Sequence, residues 1–197
     1  MVALPKLPDP AASVAVEDFL AWNPQDGNLW QLVDGQPQAM APANRTHGAI
    51  QGELGRLLAN HLYERGSLCS VIMTPGVIPR VNAGQNVRVL DLGVTCSGYD
   101  TEERVLEDPI LLVEILSPSN QAETWANVWT YATMPSVREV LVVRSDAIGA
   151  QLLRRNKDGM WPDRPIFIED GAELTLESLA FSVPLTVLYR TTRLSRF

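Results

Sequence analysis

Residues 110–116 read ILLVEIL, an almost continuous apolar run of the kind found in strands buried on both faces of a sheet. Residues 87–95, VRVLDLGVT, form a second strand pattern. Each run contains one acid, Glu114 in the first and Asp91 in the second. Strand alternation places each carboxylate beside apolar neighbours, so both are expected to leave water on folding. Because a buried carboxylate is costly unless it is paired or metal-bound, each acid needs a compensating partner.

The segments around these runs predict two flanking helices. Apolar residues recur at helical spacing from 46 to 64, and Gly66 follows as a C-terminal cap. The sequence SPSN at 117–120 ends the second run and opens a helix to about residue 133, with Asn120 and Glu123 at the spacing of a capping box. Further strands are expected at 69–73, 76–81, 138–144 and 149–155.

The two ends of the chain give weaker patterns. Residues 16–21 predict a short helix, and segments 29–33 and 36–40 predict a hairpin around Asp34 and Gly35. Beyond residue 158 the chain reads as short segments punctuated by proline, with a weak amphipathic stretch at 185–189. Taken together, the order of elements predicts an α/β fold, a mixed sheet flanked by helices.

Composition limits the class of protein. The chain has 197 residues, 46% hydrophobic and 20% charged, which excludes disordered, collagen-like and coiled-coil chains and predicts one domain over 1–197, with residues 1–15 as a flexible N-terminal segment. No apolar run approaches the ~20 residues of a membrane helix, and no signal peptide is visible, so a cytoplasmic protein that does not bind membranes is expected. Cys69 and Cys96 are expected to be reduced, buried thiols.

Several reaction classes lack support in the sequence. No P-loop, dinucleotide-binding glycine motif, HExxH or GxSxG pattern is present, which disfavours nucleotide-dependent transfer, zinc proteolysis and serine hydrolysis. The net charge of -7 disfavours a protein that holds nucleic acid by charge alone. Only Lys6 and Lys157 are lysines, so lysine chemistry has few places to occur.

The two acids are the candidate chemical groups. The runs that hold them can pair as neighbouring strands, and Glu114 lies just before a strand-to-helix junction. The following helix carries Glu123, Asn127 and Tyr131 on one stripe. Hard divalent cations such as Mg²⁺ take oxygen ligands from one or two carboxylates, water and phosphate. The alternative is that each acid meets an arginine or caps a backbone turn.

Several motifs resemble a known family. They are LVDG at 32–35, His47 at the start of the long helix, LDLGV at 90–94, VEILSPS at 113–119 and YATMPSVREVLVV at 131–143. These motifs resemble the Uma-type family of predicted restriction endonucleases, within the PD-(D/E)XK superfamily, over roughly residues 16–190. The resemblance implies a restriction-endonuclease-like core and hydrolysis of DNA phosphodiesters assisted by Mg²⁺ or Mn²⁺. It matches Asp91 and Glu114 to the metal-binding acids and is the main support for placing His47 in the site.

The chain departs from the family pattern at four positions. The superfamily lysine two residues after the Glu is Leu116, and the Uma-type lysine four residues before the tyrosine is Asn127. The family glutamate before the Asp-Gly turn is Gln31, and the proline of its Pro-Asp motif is Leu90. The sequence therefore predicts a metal-dependent endonuclease of reduced activity, with Asp91, Glu114, Asn127 and His47 as catalytic candidates. The alternative is a non-catalytic binding or dimerisation module that kept the fold, and a homodimer is compatible with both.

Overall fold

The structure is a computed structural model that describes residues 13–195 except 23, 25, 99, 101, 119 and 120. Its α-helices are α1 (Val16–Ala21), α2 (Arg45–Glu64) and α3 (Gln121–Tyr131). Its strands are β1 (Trp30–Val33), β2 (Gln36–Ala39), β3 (Ser70–Met73), β4 (Gly76–Val77), β5 (Arg88–Val89), β6 (Leu92–Thr95), β7 (Pro109–Leu116), β8 (Glu139–Arg144), β9 (Gly149–Arg154), β10 (Ile166–Glu169), β11 (Glu173–Leu176) and β12 (Phe181–Pro184).

A six-stranded sheet in the order β10-β9-β8-β7-β6-β3 forms the centre of the fold. Strands β7 and β8 are parallel, and the other neighbours in this sheet are antiparallel. Apolar side chains of α2 pack on one face and those of α3 on the other. The predicted α/β fold with a mixed sheet is thus confirmed. None of the described helices is long and apolar enough to cross a bilayer.

The run at 87–95 is not one strand, which corrects the sequence prediction. Strand β6 pairs with β7 as expected, with Leu92 opposite Val113, but β5 leaves the main sheet and pairs with β4. The break falls at Asp91, whose carboxylate Oδ2 accepts a hydrogen bond from the Ile115 amide of β7 at 2.6 Å. Its own carbonyl accepts from the Thr74 amide. The Asp91 carboxylate thus accepts the Ile115 amide in place of a backbone carbonyl of the neighbouring strand.

An N-terminal layer packs beside the break. The hairpin β1–β2 turns at Asp34 and Gly35, both with positive φ, as a two-residue turn of this kind requires. Leu32 exchanges two backbone hydrogen bonds with Val87 and joins the hairpin to β5. Residue Val14 donates to the Gly35 carbonyl, so residues 13–15 adjoin this layer, and the remainder of the predicted flexible segment lies outside the described residues.

The C-terminal region contains more regular structure than its sequence indicates. Strand β10 extends the central sheet, and the hairpin β11–β12 packs its apolar side chains on the same core as α2. Glu139 of β8 is 1% exposed and anchors this region. Its carboxylate accepts from the Arg154 guanidinium at 2.7 Å and from the backbone amides of Glu177 and Ser178.

The predicted strand at 76–81 is limited to β4, which ends at Val77.

The two cysteines form a disulfide bond, so the prediction of reduced, buried thiols is wrong. Cys69 is half-buried and Cys96 is exposed. Ser70 and Thr95 are opposite each other in the β3–β6 pair, which puts the flanking cysteines across from one another with Cα atoms 3.9 Å apart. The sequence could not indicate this because the register of two strands 27 residues apart is a tertiary property.

This disulfide is expected to stabilise the edge strand β3. Closing a loop with a sequence separation of 27 contributes about 3–4 kcal/mol in the loop-entropy model. Reduction, or replacement of both Cys69 and Cys96 by alanine, should therefore lower the free energy of unfolding by up to that amount in urea denaturation. Non-reducing peptide mapping provides the direct check. A protein purified under oxidising conditions with two free thiols would contradict the assignment.

Candidate active site

A cavity of about 790 Å³ lies where the β1–β2 hairpin, the N-terminus of α2, the break at Asp91 and the N-terminal half of α3 meet. All four candidate residues from the sequence line it: Asp91, Glu114, Asn127 and His47. They come from four separate parts of the chain, and the pairing of β6 with β7 brings the two acids to one end of the sheet. Their catalytic roles stay predictions.

Asp91 is fixed at both carboxylate oxygens. Its Oδ1 lies 2.6 Å from His47 Nε2, and its Oδ2 accepts from the Ile115 amide at 2.6 Å. Asn44 sets the position of the histidine, because its side chain caps α2 by accepting from the His47 amide. The Asp91 side chain keeps 16% of its surface exposed, so it borders the cavity. The family resemblance placed His47 in the site but did not indicate its direct contact with Asp91.

Glu114 is the most deeply placed acid of the site, with 8% of its surface exposed. The Tyr131 hydroxyl donates a hydrogen bond to its Oε1 at 2.6 Å. Burial raises the pKa of Glu114 well above its usual value, and the negative charge of Asp91 raises it further. Burial likewise raises the pKa of Tyr131, with Glu114 as the next cause. Glu114 and Tyr131, whose ionisation burial opposes, thus share one poorly solvated region.

The predicted stripe of α3 faces this region. Glu123 and Asn127 line the cavity, and Tyr131 one turn further reaches Glu114. Glu123 accepts from Gln31 Nε2 at 3.1 Å, which ties α3 to the hairpin. The capping box predicted with Glu123 depends on Asn120, which lies outside the described residues.

Two contacts and one buried charge of the site were not predicted from the sequence. Gln51, one turn after His47, donates to the Asp91 carbonyl at 2.7 Å. Tyr131 is fully buried, and its hydroxyl donates to Glu114. Arg88, a charge inside an apolar run, is buried beside the hairpin. In the sequence, only the charge of Arg88 within an apolar run indicates one of these features. The two contacts depend on how α2 and α3 cross the sheet.

The alternative interpretation was that each acid meets an arginine or caps a backbone turn. Within the described part of the chain, no ion pair joins an arginine to Asp91 or Glu114. Asp91 does accept a backbone amide, that of Ile115, although this amide lies in a strand and not in a turn. The described residues also contain no cluster of three or more His, Cys, Asp or Glu side chains arranged to hold a metal ion. Three carboxylates, those of Asp91, Glu114 and Glu123, line the cavity, and Mg²⁺ commonly uses one or two carboxylates together with water and phosphate.

Known proteins share this sequence pattern and this fold. Residues 16–187 match the model of the Uma2 family, described as "Putative restriction endonuclease". The chain is 31% identical over 183 residues to the uncharacterized protein slr1290 of Synechocystis sp., which covers 92% of this chain and 94% of that one. A crystal structure from Anabaena variabilis, titled as a putative nuclease belonging to DUF820, superposes with a TM-score of 0.72 at 15% identity, covering 90% of this chain and 98% of that chain. The match over residues 16–187 shows that this chain belongs to the Uma2 family.

Proposed function

We propose that the protein is an endonuclease that hydrolyses DNA phosphodiester bonds with the help of Mg²⁺ or Mn²⁺. The observation that carries this proposal is the convergence of Asp91 and Glu114 in one cavity, each held by its own hydrogen-bond partner. Membership in the Uma2 family, described as "Putative restriction endonuclease", supports the class of reaction. The similarity in fold to the protein titled as a putative nuclease belonging to DUF820 is consistent with it.

The residues of the cavity fit a divalent cation. The pKa of Glu114 is raised partly by the negative charge of Asp91, so a cation between the two carboxylates would relieve their repulsion. Both ligands are hard oxygen donors, as Mg²⁺ and Mn²⁺ require. When bound, such an ion polarises the phosphate and lowers the pKa of an attacking water.

The other side chains of the site orient these ligands. His47 and the Ile115 amide fix the two oxygens of Asp91, and the Tyr131 hydroxyl fixes one oxygen of Glu114. Outer hydrogen bonds of this kind set the direction of ligand lone pairs and preserve the geometry when the substrate binds. His47 therefore positions Asp91 in this proposal, in addition to bordering the cavity.

Asn127 limits the expected rate. It borders the cavity at the position where the family pattern has lysine, and its amide can hydrogen-bond water or phosphate without adding charge. Removal of one preorganised group that stabilises a transition-state charge costs about 10²–10³ in rate in other enzymes. The same neutral residue supports the second candidate function, a non-catalytic binding or dimerisation module that retains the fold.

Metal binding can be measured without activity. We expect Mn²⁺ to bind the wild-type protein in isothermal titration calorimetry, and Asp91→Asn or Glu114→Gln to weaken this binding at least about tenfold, because each removes one of two charged ligands. Both replacements are nearly isosteric and should preserve the fold. Asp170→Asn, an exposed acid in a turn, serves as the matched control and should bind Mn²⁺ like wild type. Unchanged affinity in the two site variants would place the ion elsewhere.

Cleavage is best followed as nicking of supercoiled plasmid. Slow nicking is expected with Mn²⁺ or Mg²⁺, none with a chelator, and none for Asp91→Ala or Glu114→Ala. Activity that persists in Asp91→Ala would indicate another site or a contaminant. Absence of both metal binding and nicking in every variant would favour the non-catalytic module.

The variant Asn127→Lys tests the missing charge. It should raise the nicking rate by up to about 10²–10³, if the lost positive charge is the only defect of the site. Asn127→Gln changes the size of the side chain without adding charge and should not raise the rate. Circular dichroism of both variants checks that the buried position tolerates them, and an equal rate increase for glutamine and lysine would refute the electrostatic explanation.

A further inference from the structure

Strand β10 is an edge of the central sheet and exposes apolar side chains. It pairs with β9 on one side, and no described strand pairs with its other side. Ile166 is 48% exposed and Phe167 is 65% exposed, whereas the next residue, Ile168, is buried in the core. An edge strand presents a row of backbone donors and acceptors that can pair with another strand. The outer side of β10 therefore combines apolar surface with free positions for backbone hydrogen bonds.

The Tyr189 hydroxyl shows in which direction the backbone groups of β9 point. It lies within hydrogen-bond distance of both the amide and the carbonyl of Gly149, and of the Arg144 carbonyl at the end of β8. Gly149 therefore directs its two groups toward β8. Because this direction alternates along an antiparallel strand, Ala150 directs its groups toward β10.

The backbone groups of Phe167 consequently face away from the sheet. Ile168 is opposite Ala150 in the β9–β10 pair, and its carbonyl lies near Gly149, so Ile168 is directed toward β9. By the same alternation, the amides and carbonyls of Phe167 and Glu169 point outward. These are the groups that a further strand would meet.

A second copy of β10 satisfies these groups in an antiparallel pair with its two-fold axis at Phe167. Each Phe167 amide then donates to the Phe167 carbonyl of the second copy, and each Glu169 amide donates to the Pro165 carbonyl of the second copy. The remaining positions also match. Proline has no N–H to donate, and the Glu169 carbonyl opposite it already accepts from the Ala172 amide of its own chain.

The side chains of this pair are complementary as well. The two Phe167 rings lie side by side on one face, and on the other face Ile166 is opposite Ile168 of the second copy. Aromatic and β-branched cross-strand pairs of this kind stabilise a sheet. One register further from the axis at each end, Arg164 is opposite Asp170 of the second copy. Both residues are exposed, and no ion pair among the described residues includes either of them.

We propose that β10 is a dimer interface, that its partner is a second copy of this chain, and that the two-fold axis passes through Phe167. The two central sheets then join into one continuous sheet. The match of Pro165 with a carbonyl already in use, and of Arg164 with Asp170, arises when the strand meets itself in this register. The candidate active site stays open, because β7 is three strands away from β10 in the sheet. The inference goes beyond the proposed function and is independent of cleavage.

Sedimentation velocity of the full-length protein over a concentration series tests the interface. Wild type should be in equilibrium between monomer and dimer. Phe167→Asp should raise the dimer dissociation constant at least about tenfold, because it removes the aromatic pair and places two like charges opposite each other. Leu68→Asp, which alters an exposed apolar residue next to β3 at the opposite edge of the sheet, is the matched control and should dimerise like wild type. Circular dichroism checks the fold of both variants.

A cysteine at the axis tests the register. Both native cysteines are already joined to each other, so Phe167→Cys supplies a free thiol. Directly opposed residues of a hydrogen-bonded antiparallel pair have Cα atoms about 5.5 Å apart, which a disulfide spans. Mild oxidation should therefore give a covalent dimer on a non-reducing gel. Met160→Cys, with the same exposed fraction as Phe167, is the control and should stay monomeric on that gel.

Exchange of the two charges distinguishes this pairing from unspecific association. Arg164→Asp and Asp170→Arg should each weaken the dimer, since each puts like charges opposite one another, and the double variant should restore it. A wild-type protein that is monomeric at every concentration would overturn the proposal. So would a dimer that Phe167→Asp leaves intact, a dimer that Leu68→Asp weakens equally, a Phe167→Cys variant that does not cross-link, or a double variant no tighter than the two single ones.

Discussion

The hydrogen bond from the Ile115 amide to the Asp91 carboxylate is the interaction on which the site depends. It replaces a rung of the β6–β7 ladder with a side chain, so the strand that would have run through residues 87–95 separates into β5 and β6. The diverted β5 binds the N-terminal hairpin, which in turn forms one wall of the cavity. The Asp91 carboxylate thus lies where the strand is interrupted, and it borders the cavity beside this interruption.

Electrostatic balance is the second constraint. Burial and the proximity of Asp91 both oppose ionisation of Glu114, while the Tyr131 hydroxyl favours it. Glu123, in the first turn of α3, adds a further negative charge that also opposes ionisation of Glu114. Such a group of acids gains from any cation that enters the cavity, and the fold provides no arginine contact of its own to Asp91 or Glu114 among the described ion pairs. The chemistry of the site is therefore directed toward a ligand with positive charge.

The sequence by itself determined the elements that depend on short-range patterns. Helix α1 was predicted at its observed bounds, α2 within one residue, and the hairpin by its Asp34-Gly35 turn, because spacing, caps and turn residues act within a few positions of the chain. The mixed sheet, and the pairing of residues 92–95 with the strand that holds Glu114, also followed from apolar runs and their order. The tertiary structure alone decided the break at Asp91, the Cys69–Cys96 bond, the Tyr131–Glu114 contact and the burial of Arg88. Each of these depends on strand register or on how a helix crosses the sheet, and those are set by the packing of residues distant in sequence.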